Sequence, residues 1–342
     1  MSRWFQLLLV ITTALMTASL TTHAVVRWLG IRTGGVSYSV LGIGNRTDRG
    51  LAEGSSLMRS GIRWQEVSDA VGATIENWFV AGSSPSEWEM LQRRAPDVHL
   101  TFIAVSAYDL NEDFPCDYRS NVVPLRQTIN DLRQSHSDWQ FSKRLLSQYP
   151  LKYVRIFFPT VGRSDGVMVG LRREFAKLVS PWMRIEAEAG PAVGAGNNGT
   201  AENDQREKLT EWTQARVLRR IALMRSAGGG KQRFNGPKKL ALLRMLEQAH
   251  RQGEVLVLVL PVSGIYTREF LSPEVTAQFE ATLSAAQRAV PVARWFRLDQ
   301  VPGLDSDDNF WDLVHLNVYG QRIATKAFLD QLDHTLSAIG SR

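Results

Sequence analysis

Two short blocks of the sequence carry residues that could act together in nucleophilic chemistry. Gly54-Ser55-Ser56-Leu57 follows a short extended stretch and precedes a possible helix, and a serine at such a turn is exposed at the edge of a sheet. Asp312-Leu-Val-His315 lies near the C-terminus, just before the last predicted helix. A serine nucleophile needs a histidine base, and the second imidazole nitrogen of that base needs a carboxylate. The two blocks therefore predict a catalytic set of Ser56, His315 and Asp312.

The other five histidines fit this role less well. His23 lies in an apolar N-terminal segment, His99 opens a predicted buried strand and His136 lies in a polar stretch. His250 and His334 fall in helical patterns that have no aspartate three residues earlier. His315 is therefore the predicted base.

The segments around these blocks alternate between strand and helix patterns. Apolar runs typical of parallel strands covered on both faces lie at residues 98–106 and 254–262, and a shorter strand is predicted at 76–82. Helices are predicted from about residue 85, at 241–252, at 273–289 and at 318–336. The alternation predicts an α/β fold with a doubly wound, mostly parallel sheet, in which ligands bind at the carboxyl ends of the strands.

Composition excludes several classes of protein. One cysteine, Cys116, among 342 residues rules out a disulfide scaffold and a cysteine-based zinc or iron–sulfur site. The net charge of +6 comes from scattered cations rather than from a stripe, which argues against a nucleic-acid partner and suits an anionic membrane or an acidic polymer.

No cofactor or metal site is predicted. Asp97, Asp109, Glu112 and Asp113 are the nearest approach to a metal-binding cluster, but no histidine spacing completes it. Most of these carboxylates are predicted to lie in a solvated polar loop.

The N-terminus predicts a membrane anchor. Residues 4–26 form a long apolar stretch with His23 as its only potentially charged member, and the cleavage-site pattern of a signal peptide is poorly matched. Residues 1–30 are therefore expected to form an uncleaved transmembrane helix, with a cleaved signal as the alternative. Arginines follow the segment as well as precede it, so the positive-inside count does not support an exported C-terminal part.

The rest of the chain is expected to form a linker and one domain. Residues 31–50 are the predicted linker, and residues 51–338 are the predicted domain, with an inserted loop and helix at about 187–236. The inserted helix is predicted to begin at Asp204-x-x-Glu207 and to carry Leu209 and Leu218 on one apolar face. A segment at residues 139–158 interleaves aromatic and basic side chains, which suits contact with membrane lipid, although core packing of the same aromatic residues is an open alternative.

The ordered blocks resemble the SGNH (GDSL-like) hydrolase superfamily. Gly54-Ser55-Ser56-Leu57 is similar to the first block of that family, Gly82 to the second, and Asp312 with His315 to the last. The resemblance implies a three-layer, flavodoxin-like α/β fold. It also implies an oxyanion hole that uses the amides of Gly82 and Ser56.

The third block departs from the family pattern. Ser106-Ala107-Tyr108-Asp109 stands where the family has Gly-x-Asn-Asp, so Tyr108 replaces the usual amide donor. Asn111 or the hydroxyl of Ser83 is the candidate substitute. Because one lost oxyanion donor costs about 10²- to 10³-fold in rate, this departure bears directly on activity.

The N-terminal segment and the late His-Leu-Asn resemble the membrane-anchored branch that includes DltD-type proteins and polysaccharide O-acetylation proteins. The resemblance implies a single-pass protein outside the cytoplasmic membrane that transfers an ester-linked acyl group on a cell-surface glycan, together with a membrane-bound O-acyltransferase. Two alternatives remain open. One is an anchored esterase with water as acceptor, and the other is a catalytically silent scaffold of a polysaccharide assembly.

Overall fold

The fold is described from a computed structural model that covers residues 3–28, 49–79, 82–93, 98–113, 123–150, 207–228 and 232–340. Residues 31–48 of the predicted linker, Cys116, Asp97 and much of the predicted insertion lie outside these residues, whereas Arg49 and Gly50 belong to the first strand rather than to a linker.

The described part of the chain contains twelve α-helices and five strands. The helices are α1 (Arg3–Trp28), α2 (Ser56–Gly61), α3 (Trp64–Val71), α4 (Pro85–Gln92), α5 (Ala107–Leu110), α6 (Leu125–Gln134), α7 (Trp139–Leu146), α8 (Gln214–Gly228), α9 (Pro237–Gln252), α10 (Gly264–Phe270), α11 (Pro273–Ala289) and α12 (Val318–Gly340). The strands are β1 (Arg49–Gly54), β2 (Thr74–Phe79), β3 (Leu100–Val105), β4 (Glu254–Val259) and β5 (Arg294–Arg297). Short 3₁₀ turns occur at Leu209–Glu211, Leu298–Gln300 and Asp307–Asn309.

The five strands form one parallel sheet with the order β2-β1-β3-β4-β5. The chain runs from β1 outward to β2 and then returns to the other side of β1 to place β3. This reversal makes the sheet doubly wound, as the alternating sequence pattern predicts. Ligands of such sheets bind at the carboxyl edge beside the reversal, which here lies between β1 and β3.

Helices cover both faces of the sheet. Apolar side chains of β3 and β4 alternate between two separate cores because successive side chains of a strand point to opposite faces. Phe102 and Leu256 join the core built with α2, α3 and α12, whereas Ile103 and Val257 join the core built with α4, α9 and α11. Both faces are buried, which explains the near-continuous apolar runs of the two central strands.

A network of charged side chains joins three helices, α4, α6 and α9. The guanidinium of Arg244 on α9 donates to both carboxylate oxygens of Glu89 on α4 and to both of Asp131 on α6, at 2.8 to 3.0 Å. Both carboxylates are buried, and Gln127 also donates to Glu89 at 3.0 Å. The network therefore links three helices, and each buried charge in it has a partner.

The chain divides into two compact units. One comprises Met1–Ser37 and Ser142–Gly196, and the other comprises Tyr38–Phe141 and Asn197–Arg342. The second unit contains the whole sheet and all three residues of the predicted Ser-His-Asp set.

The predicted N-terminal helix is present as α1, but its expected role is not confirmed. Within the described residues, no helix offers a stretch long and apolar enough to cross a membrane. In α1 the described side chains are those of residues 10–22 and 24, and Val10, Leu15, Met16 and Leu20 among them are exposed.

The aromatic and basic segment at residues 139–158 is described only as far as residue 150. Phe141 and Tyr149 are buried, whereas Trp139 is 74% exposed. Core packing therefore accounts for Phe141 and Tyr149. The basic residues Lys152 and Arg155 of the same segment lie outside the described residues.

Candidate active site

Ser56 lies at the first residue of α2, directly after β1. Ser55 precedes it as the N-cap, and the Ser55 hydroxyl accepts a hydrogen bond from the amide of Leu57 at 3.1 Å. Gly54 ends the strand, where a Cβ atom would stand 2.7 Å from the Cβ of Met58. Glycine is therefore required for the sharp passage from strand to helix that brings the Ser56 hydroxyl to the carboxyl edge of the sheet.

His315 comes from the loop between β5 and α12, and several backbone contacts hold this loop. Phe310 and Leu316 form an isolated antiparallel bridge, and the amide of Trp311 donates to the carbonyl of His315 at 3.1 Å. Asn317 caps α12, since its Oδ1 accepts from the amides of Tyr319 and Gly320, each at 3.0 Å. The imidazole is therefore presented by a loop that is fixed at both ends.

The structure brings Ser56, His315 and Asp312 into one hydrogen-bonded chain. The Oγ of Ser56 lies 2.8 Å from Nε2 of His315. The Nδ1 of His315 lies 3.0 and 2.9 Å from the two carboxylate oxygens of Asp312. A charged aspartate favours the tautomer with a proton on Nδ1, which leaves Nε2 free to accept the serine proton.

Asp312 is held as a carboxylate inside the protein. Burial raises its pKa, but this effect is outweighed by the charge and hydrogen bond of His315 and by the amides of Val314 and His315, so the pKa of Asp312 lies below its ordinary value. Those two amides donate to Oδ1 at 2.9 and 2.8 Å. The acid is thus charged near neutral pH and oriented independently of the imidazole.

Two further residues touch this chain, and sequence patterns did not identify them. The indole of Trp311 stacks on the imidazole of His315, with ring centroids 5.0 Å apart and planes 23° apart. The guanidinium of Arg220 on α8 lies 3.6 Å from Oδ2 of Asp312. Trp311 adjoins the D-x-x-H block and could have been considered from its position, whereas Arg220 is distant in sequence and has no local signal.

The second block supplies Gly82 and Ser83 after β2. Gly82 has a φ of +70°, which favours glycine, and residues 80 and 81 before it lie outside the described residues. The hydroxyl of Ser83 accepts a hydrogen bond from the indole nitrogen of Trp88 at 2.7 Å. That contact anchors α4, and the oxyanion role of Gly82 and Ser83 remains a prediction.

Asn111 has a structural role. Its side-chain oxygen accepts from the amides of Asp113 and Arg233, at 3.1 and 3.2 Å, and the residue is fully buried. These bonds join the end of α5 to the segment before α9, and neither partner belongs to the Ser56–His315–Asp312 chain. The proposed substitution of Asn111 for the missing amide donor gains no support from these contacts.

The acidic residues near the third block are not solvated, contrary to the sequence prediction. Asp109, Glu112 and Asp113 are all buried. Glu112 accepts from the amide of Lys238 at 2.6 Å, which caps the start of α9. The prediction was wrong because Glu112 and Asp113 have partners that are remote in the sequence, Lys238 and Arg233, and because the fold buries Asp109 beside the serine block. Among the described residues, no group of three or more histidine, cysteine or acidic side chains is arranged to hold a metal ion.

Asp109 lies close enough to the triad to interact with it. Burial raises its pKa to about 6, although hydrogen bonds from Ser55 and Ser106 and the charges of Lys238 and His315 act in the opposite direction. The hydroxyl of Ser106 donates to Oδ2 at 2.8 Å. Asp109 therefore places a titratable carboxyl beside the serine block, at the position where the family pattern ends in aspartate.

The fold and the site together define an α/β protein with a Ser-His-Asp triad at the carboxyl edge of a doubly wound parallel sheet. No family model matches this sequence, and no curated protein matches it significantly. The roles given to the residues therefore rest on their geometry in this chain and on the short blocks described above.

Proposed function

We propose that the chain is an SGNH-like acyl-transfer protein of the cell envelope, which moves an ester-linked acyl group on a cell-surface polysaccharide. The observation that carries the proposal is the continuous hydrogen-bonded chain from Ser56 through His315 to Asp312, with all contacts at 2.8 to 3.0 Å. The parallel sheet and the position of Ser56 directly after β1 support it.

The reaction would proceed in two half-reactions. His315 Nε2 takes the proton of the Ser56 hydroxyl as its oxygen attacks the acyl carbonyl, and the carbonyl electrons move onto the oxygen. Collapse of this intermediate breaks the bond to the leaving alcohol, which receives the proton from His315. An acceptor hydroxyl then gives its proton to His315 and attacks the acyl-serine, and the released Ser56 oxygen takes that proton back.

The polar surroundings match the charge that develops during these steps. Asp312 stays ionised and stabilises the imidazolium, and the stacked indole of Trp311 presents a π face to the same cation. The amides of Ser56 and Gly82 are the proposed oxyanion donors.

A silent scaffold has no need of a formed triad, so the geometry favours the catalytic alternative. Water and a sugar hydroxyl remain equivalent as acceptors at this site.

A fluorophosphonate probe tests the nucleophile. We expect covalent labelling of the wild-type protein and complete loss of labelling in Ser56→Ala, because the probe reacts with activated serines. Ser55→Ala is the matched control, since it removes the neighbouring hydroxyl and an N-cap worth about 1 kcal/mol but leaves the triad in place. Labelling of Ser56→Ala at the wild-type rate would remove Ser56 from the mechanism.

We further propose that α1 attaches the protein to the outer side of the cytoplasmic membrane, where lipid, a glycan and a membrane-bound O-acyltransferase are the expected partners. The exposed apolar side chains of Val10, Leu15, Met16 and Leu20 support attachment through this helix. We expect the membrane-extracted protein to begin at or near Met1 and a periplasm-dependent reporter fused after Arg342 to be active. A soluble mature form beginning near residue 25, or an inactive reporter, would contradict the attachment or the orientation.

A further inference from the structure

A cavity of about 630 Å³ is lined by residues of α2, α3, β2 and α12, and arginines dominate its charge. We call it the arginine pocket and define it by Arg59 on α2, Arg63, Asn77 and Phe79 on β2, and Gln321 and Arg322 on α12. Its volume is in the range of small-molecule sites, which usually measure about 300 to 1,000 Å³.

The arginine pocket is close to the nucleophile. Arg59 follows Ser56 by three residues on α2, so their Cβ atoms are separated by about 5 to 6 Å. Phe79, which also lines the pocket, pairs in register with Gly54, two residues before Ser56. Gln321 joins α12 to the end of α2 by donating to the carbonyls of Arg59 and Ile62, at 3.1 and 3.2 Å. A substrate group held in the pocket would therefore lie within reach of the reacting serine.

The charge of the arginine pocket is not balanced by the protein. Among the described residues that line it there are three guanidinium groups and one carboxylate, that of Glu66. Arg63 pairs with Glu66 at 2.7 Å. Among the described residues, neither Arg59 nor Arg322 forms an ion pair, and both are exposed. Two positive charges are thus left to attract an anion from solution.

The remaining lining groups suit a sugar that carries the anion. Arg59 lies over the ring of Phe79, with its guanidinium carbon 5.1 Å from the ring centroid, and its side chain is exposed to solvent. Asn77 offers both hydrogen-bond donors and acceptors, which is what a polyhydroxyl ligand requires. A guanidinium fork binds a carboxylate or a phosphate through two parallel hydrogen bonds.

We propose that the arginine pocket is a subsite for an anionic group, a carboxylate or a phosphate, on the glycan that Ser56 acts upon. This inference deepens the proposed function and rests on it for the identity of the substrate. Binding of the anion beside the nucleophile would orient the neighbouring sugar hydroxyl toward the acyl-serine and would select charged glycans over neutral ones.

Direct binding measurements on the full-length Ser56→Ala protein in detergent test the subsite without turnover. The probes are a glucuronic-acid trisaccharide, its carboxyl-reduced neutral counterpart and a trisaccharide that carries one phosphate. We expect an anionic probe to bind at least tenfold more tightly than the neutral one, with an affinity that falls as salt rises. Tighter binding of the carboxylate probe or of the phosphate probe identifies which anion the pocket takes, and either result supports the subsite.

Variants of the two unpaired arginines locate the binding. Arg59→Gln and Arg322→Gln, each added to Ser56→Ala, should lower the affinity for the anionic probe about tenfold, which is the lower end for a hydrogen bond to a charged group. Arg251→Gln is the matched control because it removes one exposed arginine just before β4 begins, at the opposite edge of the sheet. Thermal melting of each variant checks that it is folded.

Three outcomes would overturn the subsite. They are equal affinity for the anionic and neutral probes, no loss in either pocket variant, and an equal loss in Arg251→Gln. The two proposals fail separately, because labelling of Ser56 needs no glycan. If the wild-type protein does not react with the fluorophosphonate but Ser56→Ala still binds the anionic probe more tightly, the subsite proposal stands and the acyl-transfer proposal fails.

Discussion

Replacing His315 by alanine is expected to lower acyl-transfer turnover by roughly 10⁴-fold or more while the protein remains folded. The variant loses the only base in contact with Ser56 Oγ among the described residues. The fold should tolerate the change, because Asp312 keeps hydrogen bonds from the amides at positions 314 and 315 and keeps the nearby guanidinium of Arg220. Turnover of a chromogenic acetate ester and thermal melting measure the two parts of this expectation.

Asp312→Asn tests whether Asp312 holds the imidazole of His315 in the tautomer that can accept the proton of Ser56. The asparagine oxygen can keep both backbone hydrogen bonds, but its NH₂ group would then face Nδ1 of His315 and favour the tautomer with a proton on Nε2. That nitrogen could no longer accept from Ser56, so the rate should fall by roughly 10⁴-fold with little loss of stability. His250→Ala, on α9, is the control for histidine removal. Wild-type turnover in both His315→Ala and Asp312→Asn would show that the D-x-x-H assignment is wrong.

The stability of the protein is expected to depend on pH through Asp109. Below pH 3.8 the carboxyl is protonated in both the folded and the unfolded chain, whereas between 3.8 and about 6 only the folded chain keeps the proton. Above about pH 6 the folded chain must bury a carboxylate, so the free energy of unfolding falls as pH rises through this window. One pKa unit corresponds to about 1.36 kcal/mol, and the full loss is therefore about 3 kcal/mol.

Asp109→Asn should remove this dependence. The amide is uncharged at every pH and its oxygen can still accept the hydrogen bond of Ser106, so the variant should gain stability relative to wild type between pH 4 and pH 8. Denaturant unfolding at several pH values measures the difference. Asp330→Asn, which removes a surface carboxylate, should show a pH-independent difference within about 0.5 kcal/mol. A constant difference for Asp109→Asn as well would mean that the buried carboxyl does not titrate as described.

The sheet was largely predictable because its central strands are apolar on both faces. The runs at 98–106 and 254–262 contain β3 and β4, and α11 spans the predicted residues 273–289. The edge strand β5 was missed, since Arg294 and Arg297 flank its two aromatic residues and only Phe296 is buried. Edge strands carry charged residues that protect against aggregation, and this weakens their sequence signal.

Predictions near the insertion were less accurate. A helix was expected to begin near Asp204, which lies outside the described residues, and to bury Leu209 and Leu218 on one face. Leu209 instead belongs to a 3₁₀ turn, α8 begins at Gln214, and Leu218 is 56% exposed. Local periodicity could not show these features, because the burial of this region depends on residues far along the chain.

The triad residues could be predicted because two motifs in the expected order indicate them. Their neighbours could not, since Arg220 and Asp109 approach the triad only through the tertiary fold, and the arginine pocket forms only where α2, β2 and α12 come together. Sequence blocks therefore indicated the three residues that the structure joins by hydrogen bonds, whereas the side chains around them became visible only in three dimensions.

The position of α8 has a consequence for protein engineering. The residues at about 187–236 look like an insertion that could be trimmed to make a smaller protein. Yet the amide of Leu209 donates to the carbonyl of Phe310 at 2.6 Å, the hydroxyl of Thr210 donates to Asp308 at 2.8 Å, and Arg220 lies beside Asp312. Deleting residues 207–228 would therefore remove several contacts that hold the loop carrying His315. A shortened protein has to retain this stretch or replace those contacts.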